Sequence, residues 1–258
     1  MSKPLVSIIT PSFQQAKWLE SCIQSVLNQT YENVEYIIID GGSTDGSKEI
    51  IEKYADQLAY WQSQKDNGQA NAINIGYKKA KGEIIAYLNA DDLLEPWAVE
   101  TIVRVFEVNK EFAIIYGKCK TIDENSQLVK EAEGFQLRFE GLLADGMLPG
   151  MYQPACFFNK SYLDPFYMVD ETYQNAFDYD LILNLSSQKT ILFVNKDLAA
   201  YRIHNNSKSN LNKIDAYKEK LSIQEKYGKS DFFKWKWKRL KLAVAEKTGK
   251  IVNGKAAL

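Results

Sequence analysis

Histidine is close to absent from this chain: among 258 residues there is one, His204. Cysteine is nearly as scarce, with Cys22, Cys119 and Cys156 set far apart. No C-x-x-C pair occurs, so an ordinary cysteine zinc site is excluded. An odd, sparse count fits a reducing compartment, with the thiols as buried filler. A charge excess is missing too: 32 basic residues meet 33 acidic ones, for a formal net charge of −1. That excludes the basic footprint of a nucleic-acid-binding protein, and no nucleic-acid partner is expected. No apolar run nears the ~18 residues that read as a membrane span. The start, MSKPLVSIIT, has one lysine, then proline, then an apolar run too short for a secretory signal. A cytoplasmic setting is the expectation.

The glycine loops that cradle phosphate are absent as well. The first turn after a strand has no G-x-G-x-x-G, and no G-x-x-x-x-G-K-[ST] occurs. If a nucleotide binds, its phosphates must be met another way. A divalent cation held by carboxylates is the natural substitute, since Mg²⁺ and Mn²⁺ take oxygen ligands together with substrate phosphates.

What is present is an alternation of strand and helix signals. Hydrophobic residues make up 45% of the chain, enough for a large core. Val6–Thr10 and Val34–Asp40 read as strands, as do Ile84–Asn89, Ala113–Gly117 and Ile191–Val194. Between them, residues 11–30, Lys48 to about Leu58, Ala70–Lys81, Trp97–Asn109 and Asp178–Ser187 carry helical periodicity. This order argues an α/β fold with a mostly parallel sheet. Residues 118–165 give no clear pattern, and 208–258 are lysine-rich with helical patches.

In an open parallel sheet, ligands bind beyond the carboxyl ends of the strands. Three of those ends are polar: Thr10-Pro11-Ser12-Phe13, Asp40-Gly41-Gly42-Ser43 and Asn89-Ala90-Asp91-Asp92. Asp91 and Asp92 repel each other at neutral pH unless something positive or hydrogen-bonding relieves them. A cation or ribose hydroxyls would do so. A plainer alternative is that Asp92 caps a helix running past Pro96. Asp40-Gly41-Gly42-Ser43 can likewise be only a turn. Convergence on one rim weighs against both plain readings.

The blocks VSIITPSFQQAKWLESCIQSVLNQTYENVEYIIIDGGSTDGS, KDNGQANAINIGYKKAKGEIIAYLNADD, FDYDLILNL and YRIHNNSKS occur in that order over residues 5–209. Together they resemble inverting glycosyltransferases of family 2, which have the GT-A fold. The resemblance implies a Rossmann-like, mostly parallel central sheet flanked by helices. It implies a catalytic domain over 1–207 and a helical extension over 208–258. It also implies a nucleotide-sugar donor, with UDP as the expected nucleotide, and Mn²⁺ or Mg²⁺ as cofactor. The acceptor would be a saccharide or a lipid-linked saccharide.

The same resemblance implies roles for single residues. Pro11, Ser12 and Phe13 would line the base and ribose pocket, and Asp40 would hydrogen-bond the base. Asp66, Asn67 and Gly68 would form a loop by the nucleotide, with Gln69 and Asn71 nearby. Asn89 and Asp91 would face the ribose or donor sugar. Asp92 would ligate the metal, supported by His204, and Arg202 would contact phosphate. Asp178 would be the general base. Read from the residues alone, Asp178 and Asp180 could instead be acidic residues at a helix start, and Asp180 reads as a cap or prop; Gln153-Pro154-Ala155-Cys156 is a candidate floor for the sugar pocket. Two positions depart from the family pattern: Phe177 stands where many relatives have Glu, and Asn184 where many have Arg. The second puts in question whatever that arginine supports.

Two other classes remain open at this point. A nucleotidyltransferase would also use carboxylate-bound metal, but needs a basic glycine-rich triphosphate loop that PSFQQAKW is not. A non-catalytic sugar- or nucleotide-binding scaffold is opposed by the presence of Asp92, Asp178 and His204 together. The tail FFKWKWKRLKLAVAEKTGK (232–250) sets Phe233, Trp237, Leu240 and Val244 on one helical face and Lys234, Lys238 and Lys241 on another. It reads equally as a helix on an anionic membrane surface or as one packed on the domain. The first reading makes the protein peripheral at the inner face of a membrane.

Overall fold

Along the first strand the side chains divide by parity. Val6 and Ile8 enter one apolar cluster, and Ile9 enters the other. The same split recurs at Ile38 against Ile37 and Ile39, and at Ile84 and Ala86 against Ile85 and Tyr87. A strand buried on both faces must be apolar at every position, which is why these runs carry no polar alternation. The sheet is therefore sandwiched between helices. This computed structural model describes residues 3–131, 134–145, 150–204 and 213–228.

In chain order the strands are β1 (Val6–Ser12), β2 (Val34–Asp40), β3 (Tyr60–Ser63), β4 (Ile84–Tyr87), β5 (Leu93–Leu94), β6 (Ile114–Ile122), β7 (Leu128–Lys130), β8 (Cys156–Asn159) and β9 (Ile191–Arg202). The helices are α1 (Ala16–Leu27), α2 (Ser47–Lys53), α3 (Gln69–Lys79), α4 (Ala98–Val108), α5 (Phe139–Asp145), α6 (Phe177–Gln188) and α7 (Lys213–Lys226). The sheet order is β3-β2-β1-β4-β8-β6-β9-β5, with β7 paired to β6. β1, β2, β3 and β4 are mutually parallel. β8 runs against β4 and β6, so β6 and its parallel neighbour β9 point the same way as β1. Only β5, β7 and β8 run the other way.

Helices α3 and α6 cover the face bearing Ile9, Ile37 and Tyr87. Helices α1 and α4 cover the face bearing Ile8, Ile38 and Ala86. Gly76 on α3 lies so close to β1 that a Cβ there would run into Ile9 Cγ2. From the carboxy-terminal part of the chain, α7 returns to this core, with Ile223 fully buried in the α3/α6 cluster.

Several elements differ from the sequence expectation. The helix expected to reach Leu58 ends at Lys53; a 3₁₀ turn over Ala55–Gln57 and then β3 follow. All four β3 residues are only half-buried, so no apolar alternation announced the strand. Asp92 does not cap a helix. Leu93 and Leu94 instead pair with Ala200 and Ala199 of β9, and α4 begins only at Ala98. Strand β9 continues past Val194 through Asn195 and Lys196, both exposed. The register between β6 and β9 shifts there. A bulge of this kind inserts polar residues into a strand and hides its period. The unpatterned stretch 118–165 contains the end of β6, then β7, α5 and β8.

Candidate active site

The carboxyl ends of β1 and β2 lie side by side, with Ser12 paired to Asp40 in register. Asp40 is fully buried. Its Oδ2 accepts from the backbone N–H groups of Gly42 (3.1 Å) and Ser43 (2.9 Å) and from the Ser63 hydroxyl (2.6 Å). Its Oδ1 accepts from the Ser43 hydroxyl at 2.5 Å. Expected to meet a base, Asp40 instead gives its oxygens to the chain's own donors and fixes the turn. Asp66 is the more open carboxylate beside it. A Cβ on Gly41 would stand 3.0 Å from Asp66 Oδ2, so the glycine lets this side chain lie against the turn. Burial, with Asp40's charge adding to it, raises the Asp66 carboxyl, against the pull of the Gly68 N–H.

Phe13 projects from the end of β1 with 59% of its surface exposed. Pro11 and Ser12 are buried, and the Ser12 hydroxyl has no hydrogen-bond partner among the described residues. Gly68, at φ +101°, turns the chain into α3, and its N–H bonds Asp66 Oδ1 at 2.8 Å. Asn67 is exposed. Asn71 donates to Glu171 at 3.0 Å, which points its amide toward the loop before α6.

From Gln69 a chain of bonds crosses the rim. Gln69 Nε2 donates to Asn89 Oδ1 (2.7 Å), and Asn89 Nδ2 donates to Asp92 Oδ2 (3.2 Å). Asp92 Oδ1 takes the backbone N–H of Arg202 at 2.9 Å. Asp92 is fully buried. Burial first, and then the neighbouring charge of Asp91, push its carboxyl well above the usual carboxylate range. The Arg202 N–H, the Asn89 amide and the Arg202 charge act against that shift.

Asp91 points the other way. Its Oδ2 lies 2.9 Å from His204 Nε2. The imidazole packs on Trp18, ring centroids 4.2 Å apart. The geometry thus departs from the expectation: His204 is matched with Asp91, while Asp92 is turned inward. Asp91 and Asp92 lie in the turn between β4 and β5, closed by the Asp92 N–H on the Asn89 carbonyl (3.0 Å), and the turn sends only one of the two carboxylates to the histidine. Arg202 departs as well. Its side chain is fully buried rather than offered to phosphate. Nε donates to the Asp91 carbonyl (2.8 Å), and Nη1 donates to the Asp123 carbonyl (2.8 Å) and Ser126 Oγ (3.0 Å). The guanidinium therefore ties the Asp91 turn to the 123–126 turn.

Asp178 is the second residue of α6, half-buried, and its Oδ1 accepts from the Tyr179 N–H at 2.8 Å. Tyr87, at the end of β4, packs its ring near Phe177, the residue before Asp178. Burial raises the Tyr87 phenol, and the charges of Asp178 and Asp92 both raise it further. The Tyr87 ring lies 6.4 Å from that of Phe177. Asp180 faces the opposite way and pairs with Lys226 at 3.0 Å. Gln153 is buried and donates to the Tyr87 carbonyl at 2.6 Å.

Trp18, Tyr87, Asp123, Ser126 and Lys226 were not anticipated. Only Trp18 carried a signal, as a large aromatic in the helix that follows β1. Among the described residues no group of three or more His, Cys, Asp or Glu could hold a metal. Asp91 and His204 offer one carboxylate oxygen and one imidazole nitrogen. The carboxylate suits Mn²⁺ or Mg²⁺ with diphosphate oxygens and water in the other positions, and the imidazole favours Mn²⁺ of the two. A cavity of about 420 Å³ opens at the other end of β4, between Lys81, Lys110 and Lys160. It lies away from this chemistry. The tail 232–250 falls outside the described residues, and among those residues no helix is long and apolar enough to cross a membrane.

Comparison with known proteins bears on the family and the fold. The chain is 30% identical over 218 residues to chondroitin synthase of Escherichia coli, spanning 84% of this chain and 31% of that protein. It thus covers about a third of that relative's length. The fold matches S. aureus TarS in complex with UDP-GlcNAc (TM-score 0.68, 15% identity, 85% of this chain and 66% of that one). It also matches the mannosyltransferase PcManGT of Pyrobaculum calidifontis in complex with GDP-Man and Mn²⁺ (TM-score 0.69, 14% identity, 97% and 77%). These are GT-A folds, with the mostly parallel sheet expected from the sequence. The model of glycosyl transferase family 2 matches residues 7–167, more than half of the chain. The protein is therefore a glycosyltransferase of family 2.

Proposed function

We propose that this chain transfers a sugar, with inversion, from a nucleotide-diphosphate donor to an acceptor hydroxyl in a single displacement. UDP is the nucleotide we favour. The observation that carries the reading is the meeting of Asp91 with His204 beyond the carboxyl end of β4. Asp91 and His204 would hold Mn²⁺ or Mg²⁺. When bound, the cation supplies positive charge against the departing diphosphate oxygens. Asp92, behind them, would orient the turn through Asn89 and the Arg202 N–H. Phe13, Ser12, Asp66 and Gly68 would border the nucleotide, with Pro11 and Asp40 shaping the wall beneath.

Asp178 would take the proton of the acceptor hydroxyl as that oxygen bonds to the anomeric carbon. The bond from that carbon to the diphosphate breaks on the opposite side. Base catalysis of this kind is worth ~10²–10⁴-fold. One displacement requires one base and no second carboxylate as nucleophile. The relation to chondroitin synthase supports a saccharide acceptor in polysaccharide assembly. A lipid-linked acceptor at a membrane face is the corresponding reading of the 232–250 segment.

The test is calorimetric titration with UDP in Mn²⁺, repeated with chelator and with Asp91→Ala. Micromolar binding lost in both supports the donor site. Binding that survives both would place the nucleotide elsewhere. Asp178→Asn separates an enzyme from a binding scaffold: turnover should fall ~10²–10⁴-fold with UDP affinity retained.

A further inference from the structure

The amino end of α6, which carries Asp178, has no cap of its own. Its N-cap residue is Ala176, and no side chain at that position bonds the helix. The open N–H groups of a helix start must still be met. One of them, the N–H of the N-cap Ala176, is met from α7 together with the two N–H groups just before it. Glu219 Oε2 accepts the backbone N–H groups of Asn175 (2.7 Å) and Ala176 (2.8 Å). Glu219 Oε1 accepts the N–H of Gln174 (3.0 Å) and the Asn175 side-chain amide (3.1 Å). Four donors on three consecutive residues thus converge on one carboxylate. Two turns further along α7, Lys226 bonds Asp180, a buried carboxylate two residues past Asp178. Ile223, between the two anchors, is fully buried in the α6 core.

We propose that Glu219 is a positioning residue for the transfer reaction: from α7 it fixes the 174–176 turn, and through it the place of Asp178 at the rim. The inference rests on Asp178 being the base. On this assignment α7 belongs to the working catalytic unit. The physical reason is directional. A carboxylate that accepts four hydrogen bonds at once has little freedom, and a negative charge at a helix amino end is favoured by the helix dipole. Asp178 lies two residues beyond Ala176, so a shift of the turn moves its carboxylate directly. Misplacing a catalytic group by about 1 Å can cost ~10²-fold.

The experiment compares the full chain with Glu219→Ala, Glu219→Gln and Asp178→Asn, alone and combined. Release of nucleoside diphosphate from UDP-GlcNAc and from GDP-mannose in Mn²⁺ is followed, with backbone hydrogen exchange measured in parallel. Glu219→Ala should lower kcat ~10–100-fold with the donor KM within about twofold. Glu219→Gln, which keeps an acceptor oxygen, should recover much of that loss. In the Asp178→Asn background Glu219→Ala should cost almost nothing more, because both changes act through one group. Exchange should quicken at 174–180 and stay unchanged at 41–43. An equal loss in both backgrounds, or a rise in KM alone, overturns the assignment. Unchanged exchange at 174–180 overturns it whatever the activity. If the parent protein releases nucleotide from neither donor, the donor reading fails, and the exchange result still decides whether Glu219 holds the turn.

Discussion

Asp40 and Arg202 are both fully buried ions at the ends of strands, yet they are held in opposite ways. Three of the four donors on Asp40 come from residues two or three positions along, and the fourth from Ser63. The partners of Arg202 lie 76 to 111 residues away. The Asp40 side of the rim is thus shaped mainly by its own loop as the chain leaves β2. The side with Asp91, Asp92 and His204 exists only once β9 has docked beside β5 and β6. Residues that fix a turn locally can be lost with local damage. A residue that joins distant segments takes several of them with it.

The largest effect should come from Arg202→Met. The substitution leaves the Asp91 and Asp123 carbonyls without their donors and the Asp91–Asp92 charges without a nearby cation. Removing one partner from a buried ionic group costs about 3–5 kcal/mol. Denaturant unfolding should show that loss, and UDP binding in Mn²⁺ should weaken with it. A loss under about 1 kcal/mol, on the scale of a surface ion pair, would break the contrast with Asp40.

That contrast also marks what could be read in advance. β1, β2 and β4 were legible because a strand buried on both faces needs an unbroken apolar run. Their polar ends were legible because such runs stop abruptly at Thr10, Asp40 and Asn89. β9 was legible only to Val194, since its bulge places Asn195 and Lys196 in solvent. β5 is two residues long and has no period at all. Which of Asp91 and Asp92 meets His204 depends on the turn's direction, and adjacent identical residues carry no sign of it. Glu219 lies 43 to 45 residues from the groups it accepts, so no local pattern around Asp178 could name it.

A middle-sized effect is expected from Lys226→Met, on the distant-contact side of the comparison. Asp180 is 5% exposed and would lose its cation. Because Lys226 itself is almost half exposed, water offsets part of the loss, and about 1–2 kcal/mol is expected. Hydrogen exchange should quicken along α6 and α7 together. Quickening confined to α7 would mean that the pair does not couple the two helices.

The smallest effect should come from Asp40→Asn, because the local loop can adapt. With its amide oxygen at the Oδ2 position, the new side chain keeps the N–H groups of Gly42 and Ser43 and the hydroxyl of Ser63. Its NH₂ then stands where Oδ1 accepted the Ser43 hydroxyl, and that hydroxyl can turn to accept instead. What is lost is the charge assistance to these bonds, about 1 kcal/mol. In a domain of this size that is a fall of about 2–4 °C in Tm. Exchange should quicken at 41–47 and at 14–16, since Ser43 Oγ takes the Gln14 N–H at 2.8 Å and Asp45 takes that of Ala16 at 2.9 Å. The His204 side should not respond. Faster exchange in β9 or α6 would mean that the Asp40 loop is not self-contained, and that the two sides of the rim fold as one unit.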